Sequence, residues 1–295
     1  MRTILGIHRA ASSHWVGNGF PVKTLFTYER LGDALSPFLM LDHAGPTEFP
    51  PTDAERGVGE HAHRGFETVT LVFAGEIEHR DSTGSGGRVG PGDVQWMTAA
   101  GGIVHEEFHS ADFTRRGGAL HIAQLWVNLP ARSKMSRPNY QTLLAKDIPS
   151  VELQDKRGSL RIIAGDYEGT KGPARTFTAV NVWDARLQAD ARWSVPIAAA
   201  QTACVVVLSG TVVVNHVERV GADNVVIFER SKGEIIIDAD RDSHLLILSG
   251  EPLNEPIVGY GPFVMNTTEE IQQAITDLHR GDFGQVRRAD EWMVG

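Results

Sequence analysis

The sequence predicts an all-β chain of two tandem barrel or jelly-roll modules, with a few short helices and one near the C-terminus. Three observations predict it. Short apolar runs are separated throughout by glycine, proline and polar turn residues; a short pattern recurs once in each half; and one segment alone carries convincing helical periodicity.

At 295 residues the chain is long enough for two domains with a sizeable core. In the first part, VKTLFTY (22–28), PFLML (37–41), ETVTLVFAGEIEHRD (67–81), VQWMT (94–98) and HIAQLWVNL (121–129) read as strands. STGSGG (82–87) and VGPGD (89–93) supply flexible or tight turns between them. Residues 130–150 lose the period-two pattern, carry three prolines and read as a linker. Strands resume with LRIIAGDY (160–167), TFTAVNVWDARL (176–187), ACVVVLSGTVVVN (203–215), NVVIFE (224–229), EIIIDA (234–239) and HLLILSGEPL (244–253). LVFAGEI (71–77) matches VVLSGTV (206–212), and VGPGDV (89–94) matches VGADNV (220–225) in the same order, so one β-module is read twice. The boundaries expected are 1–135 and 136–295. The helix is NTTEEIQQAITDLHRG (266–281), with Thr267 and Glu270 spaced as a capping box and Gly281 as its stop; it reads as a cover on a sheet.

Composition excludes several functions. The net charge is −9, and lysine and arginine are scattered singly. Direct nucleic-acid binding and attraction to an anionic membrane are therefore not expected. Cys204 is the sole cysteine and lies in an apolar run, so neither an internal disulfide nor a thiolate-rich zinc site is available. With no signal peptide or spanning segment read in the sequence, the cytoplasm is the expected location.

The chemistry lies in the histidines. Of 12, five fall between positions 61 and 109. His61 and His63 are two apart, so on a strand both face one way, and His105 and Glu107 repeat that spacing. Two such pairs aimed into one barrel place three imidazoles and a carboxylate around a point. That donor set suits Fe(II), Mn, Ni or Cu better than Mg or Ca, with Zn also within its range. From the residues alone, either Glu67 or Glu107 completes the set. Glu106 alternates to the opposite face and is expected to be solvated. Asp42, Glu67 and Gln124 are candidates for contacts behind the donors or with a substrate. His216 and His244 stand isolated, so the second module is expected to hold no metal.

HAHRGFETVT (61–70) and GDVQWMTAAGGIVHEE (92–107) are similar to the two motifs of cupins. With QLWVNL (124–129), KMxxPxYQ (134–141) and GPFVMNTxEEI (261–271), the chain resembles pirins along most of its length. The resemblance implies a mononuclear site of His61, His63, His105 and Glu107, holding one divalent metal, Fe(II) first. It also implies one of two activities. The first is a quercetin (flavonol) 2,3-dioxygenase in which Glu107 is both ligand and base for the flavonol 3-hydroxyl. The second is an iron-dependent redox sensor that binds a protein partner. The expected partners are a small aromatic substrate or that protein, and the expected state is a monomer.

Overall fold

The strands of this chain form two β-sandwiches of the same topology. A computed structural model describes residues 1–10, 12–153 and 156–286. Two compact units are present: Met1–Ser12, Lys23–His43 and Ala145–Asn254 in one, and Ser13–Val22, Ala44–Leu144 and Glu255–Gly295 in the other. The units interleave along the chain instead of following the consecutive blocks expected from sequence. Two contacts explain this: strand Ile4–Arg9 pairs with Asn224–Phe228, and helix Thr268–Arg280 packs on Ala62 and Val104.

In the Ala44–Leu144 unit, a four-stranded sheet runs Gly57–His63, Ile103–His109, Ile77–Asp81, Gly86–Val89. It faces a larger sheet containing Asn139–Leu143, Val94–Thr98, Phe66–Ala74 and Gly118–Asn128 in that order. Phe20, Val72, Ile77, Phe113 and Ile122 fill one end of the interior. The other end is lined by polar side chains, and the histidines lie there.

In the Ala145–Asn254 unit the order is Asn224–Phe228, Thr202–Ser209, Ser243–Gly250, Val180–Leu187, Gly158–Ala164 in the large sheet. Arg192–Val195, Ile235–Ala239, Thr211–Val214 and Glu218–Gly221 make the small one. The repeat read in the sequence marks equivalent points. Gly75 (φ +84) and Gly210 (φ +87) each sit where the chain leaves a large-sheet strand for a small-sheet one. A left-handed backbone there favours glycine over residues with a Cβ.

Register carries the equivalence to single positions. His61 opposes His105 and His63 opposes Ile103; in the second sandwich Trp193 opposes Ile237 and Val195 opposes Ile235. The positions of His61, His63 and His105 are thus taken by Trp193, Val195 and Ile237, all part of an apolar core.

Two short helices, Tyr28–Leu35 and Ala111–Arg116, accompany the C-terminal one; the second is capped by Ser110, whose hydroxyl accepts from Phe113 N. The 130–150 segment is more than a linker: Asn139–Leu143 is an edge strand paired to Val94–Thr98. Its alternation is carried by a buried glutamine, Gln141, and a buried Leu143, a pattern that apolar counting overlooks. Among the described residues no helix is long and apolar enough to cross a membrane.

Candidate metal centre

The site is built on the inner face of the four-stranded sheet. Strand Ile103–His109 lies in its middle, with His61 opposite His105 on one side and, on the other, Asp81 opposite His105 and His79 opposite Glu107. Directly opposed residues share a face. His61, His63, His79, Asp81, His105 and Glu107 therefore all point between the sheets. A register shift between His105 and Glu107 interrupts the pairing to Gly57–His63.

Three imidazoles converge. Ring centroids lie 4.1 Å apart for His61 and His105, 4.9 Å for His61 and His63, and 5.0 Å for His63 and His105. Their donor atoms fall within 4.8 Å of one another. Hydrogen bonds on the outer nitrogens orient them. His61 Nδ1 donates to Gly59 O (2.9 Å), and His63 Nδ1 makes a longer bond to Pro262 O (3.4 Å). A carbonyl partner requires an N–H, so in both rings the lone pair is on Nε2. His105 Nδ1 lies 3.3 Å from His79 Nδ1, and His79 Nε2 lies 3.3 Å from Asp81 Oδ2. With His79 donating to the Asp81 carboxylate, its Nδ1 lone pair faces two donors, His105 Nδ1–H and the Gln95 amide. His105 Nε2 is then an acceptor, buried and without a protein partner.

Burial is the largest cause that lowers the pKa of His63, to about 3, with the charge of His61 adding to it. Burial first, then the charges of His63, His61 and His79, hold His105 well below its ordinary value. Both rings are neutral at physiological pH, as metal ligation requires. Three converging imidazoles, two of them held neutral by burial and one with an orphaned buried acceptor, fit a borderline divalent cation.

Glu107 is placed differently. Its carboxylate groups with His105 and His79 rather than with all three converging imidazoles. Each oxygen has an amide donor: Gln95 Nε2 to Oε1 at 2.8 Å and Gln124 Nε2 to Oε2 at 3.0 Å. Gln124 also reaches Thr70 Oγ1 (3.3 Å), and Gln95 lies 3.2 Å from His79 Nδ1. Gln124, a sequence candidate, thus stands directly behind Glu107.

Glu67 and Asp42 lie elsewhere. Glu67 opposes Thr98 and Val127, on the face of its strand away from Thr70 and Gln124, and accepts from Thr98 Oγ1 (2.7 Å). Burial pushes its carboxyl up to about 7. Asp42 belongs to the other compact unit, where it accepts from Thr24 Oγ1 (2.5 Å). Glu106 does project from the opposite face, but it is only 2% exposed instead of solvated. Arg80 lies 3.3 Å away, and Asp53, Ala111 and Arg115 line a cavity of about 250 Å³ over it.

Four residues of the site, His79, Asp81, Gln95 and Tyr140, were not anticipated from sequence. His79 is fully buried and stacks on Tyr140, with centroids 4.9 Å apart and planes at 17°. Tyr140 OH in turn reaches Gln95 Oε1 at 3.5 Å. The period-two argument that selected His61 and His63 applies equally to His79 and Asp81 and would have found them. Gln95 carries no such signal.

On the larger sheet, Trp126 stacks on Phe66 (4.2 Å, 29°), and both lie against His63, at 5.3 and 5.1 Å. Trp126 and Thr68 oppose each other on this face, and Trp126 Nε1 and Thr68 Oγ1 are buried without a protein partner.

Comparison with known proteins agrees with this architecture. Residues 19–127 match the Pirin family and residues 182–284 the Pirin C-terminal cupin domain. A Pseudomonas aeruginosa protein named "Putative quercetin 2,3-dioxygenase" is 55% identical over 283 residues, 96% of this chain and 99% of the relative. Pirin from Homo sapiens is 35% identical over 267 residues, 88% of this chain and 86% of its own. The crystal structure of a quercetin 2,3-dioxygenase from Acinetobacter baumannii superposes with a TM-score of 0.95 at 50% identity, covering 97% of this chain and all of the other. Two cupin sandwiches in tandem, matched along both halves, make this chain a member of the pirin family.

Proposed function

We propose that this pirin is a mononuclear metalloenzyme of the quercetin 2,3-dioxygenase type, with His61, His63, His105 and Glu107 holding the metal. The observation that carries the proposal is the convergence of the three imidazoles of His61, His63 and His105, with His105 Nε2 buried and without a protein partner. The names of the relatives from P. aeruginosa and A. baumannii supply the substrate class, a flavonol.

A divalent metal, Fe(II) in first place, supplies Lewis acidity for the flavonol 3-hydroxyl and a redox-active centre for dioxygen. The chain's own residues do the rest. Glu107 accepts the 3-hydroxyl proton; Gln95 and Gln124 hold its two oxygens in place for that task. Phe66 and Trp126 offer aromatic surface beside His63 for a planar ligand. Trp126 Nε1–H is an unmet donor on that face, suited to a carbonyl oxygen.

Oxygen uptake by anaerobically purified, Fe(II)-loaded protein tests the proposal. Quercetin-dependent uptake that disappears in Glu107→Ala, compared with the parent in samples matched for bound iron, is the expected result. One iron per chain with no quercetin-dependent uptake would remove the enzymatic reading and favour the redox-regulator alternative. Trp126→Phe is expected to raise KM several-fold and leave metal content unchanged, since it removes one hydrogen-bond donor and keeps an aromatic, if smaller, face.

A further inference from the structure

Immediately after His63 the chain reverses, and this reversal is tied to a segment remote in sequence. Pro262 O receives both His63 Nδ1–H (3.4 Å) and Arg64 N–H (3.3 Å), and Val264 N–H donates back to Arg64 O (3.0 Å). Gly65 has φ +93, and a Cβ there would lie 2.0 Å from Val264 O, so the two chains meet at backbone distance. The Lys134 ammonium is buried at the same point. It donates to Gly65 O and Val264 O, both at 2.8 Å, and to Asn128 Oδ1 at 2.6 Å. Arg64 completes the attachment. Its Nε donates to Gly101 O (2.7 Å), one terminal nitrogen pairs with Asp277 (2.8 Å), and its guanidinium lies 4.5 Å from the centre of the Phe283 ring.

A helix that merely covered a sheet would need only the apolar contacts of Ile271 and Ala274 with Ala62 and Val104. The directional bonds do something further: they converge on the two residues that follow a donor histidine and on that histidine's own Nδ1. We propose that the 262–283 segment, together with Lys134 and Arg64, is the positioning element of His63, fixing its ring direction and its Nδ1–H tautomer. The inference rests on the reading of His61, His63 and His105 as metal donors. Coupling between two sites is reciprocal, so a metal held by His63 also stiffens the segment that orients it.

Co(II), followed by its visible absorption, is the probe. Full-length protein and the variants Asp277→Asn and Arg64→Lys are titrated, and amide exchange of the 262–265 region is measured with and without Co(II). Asp277→Asn removes the charge that Arg64 meets, and Arg64→Lys keeps the charge but loses the planar fork. About tenfold weaker Co(II) binding is expected in both, by comparison with other supports of metal-bound histidines. In the unmodified protein Co(II) is expected to slow exchange at the Val264 amide, and His61→Ala is expected to abolish that slowing. Exchange at Val264 needs no variant, so it decides the matter even if a substitution impairs folding. Normal Co(II) affinity in both variants, with exchange at Val264 indifferent to Co(II), would overturn the positioning role and leave the donor reading standing. Failure of the unmodified protein to bind Co(II) would overturn the donor reading and this inference with it.

Discussion

At the scale of single residues, the site depends on which nitrogen of each imidazole carries its proton. His61, His63 and His105 each use Nδ1 for a protein contact, to Gly59, Pro262 and His79, which directs the Nε2 lone pairs inward. The His-x-His spacing made His61 and His63 legible, and His105 and Glu107 followed by the same rule. The clamp on Glu107 was only half legible, because Gln95 comes from a strand with no other polar signal. Gln95→Leu is expected to leave one Glu107 oxygen without its donor. A loss of about 1–3 kcal/mol in denaturant stability follows, together with weaker metal binding in a dialysis titration. Glu67 gives a pH prediction. Its folded carboxyl titrates at about 7 against an ordinary 4.5, so the folded state holds the proton more tightly than the unfolded one. Stability present below pH 4.5 is then lost as the pH rises to about 7, by roughly 3 kcal/mol from this group. Glu67→Gln is expected to be more stable than the parent at pH 8 and to lose that advantage below pH 5 in paired urea melts. An advantage of the same size at both pH values would contradict the assignment.

At the scale of elements, apolar runs located the longer strands, while short ones such as Ile4–Arg9, Gly86–Val89, Arg192–Val195 and Glu218–Gly221 escaped, as did Asn139–Leu143 and Ala111–Arg116. Asn139–Leu143 reads as linker because its inward positions include Gln141 and follow a proline. Ala111–Arg116 is one and a half turns long, too short for helical periodicity, although Ser110 and Gly117 mark its ends. The C-terminal helix was legible from its apolar stripe and its cap together: Thr267 accepts from Glu270 N (3.2 Å) while Glu270 accepts from Thr267 N (3.0 Å). Thr267→Ala is expected to cost about 1 kcal/mol by urea denaturation. No measurable change would mean that the packing of Ile271 and Ala274 sets the helix start without the cap.

At the scale of the whole molecule, one topology is used twice with opposite interiors. The repeat in the sequence announced the duplication, and paired register shows what distinguishes the copies. Where one sandwich has His61, His63 and His105, the other has Trp193, Val195 and Ile237 filling a dry core. The interleaving of the chain was not legible, since it depends on the pairing of Ile4–Arg9 with Asn224–Phe228, more than two hundred residues apart. The proposed function accordingly expects one metal per chain, held in the sandwich that carries the histidines. X-ray absorption at the iron edge, with metal content measured on the same Fe(II)-loaded sample, tests this most directly. The account predicts one iron per chain with imidazole scattering in its nearest shell, and loss of both in His105→Ala. Iron retained at full stoichiometry in His105→Ala, or a nearest shell without imidazole, would contradict it.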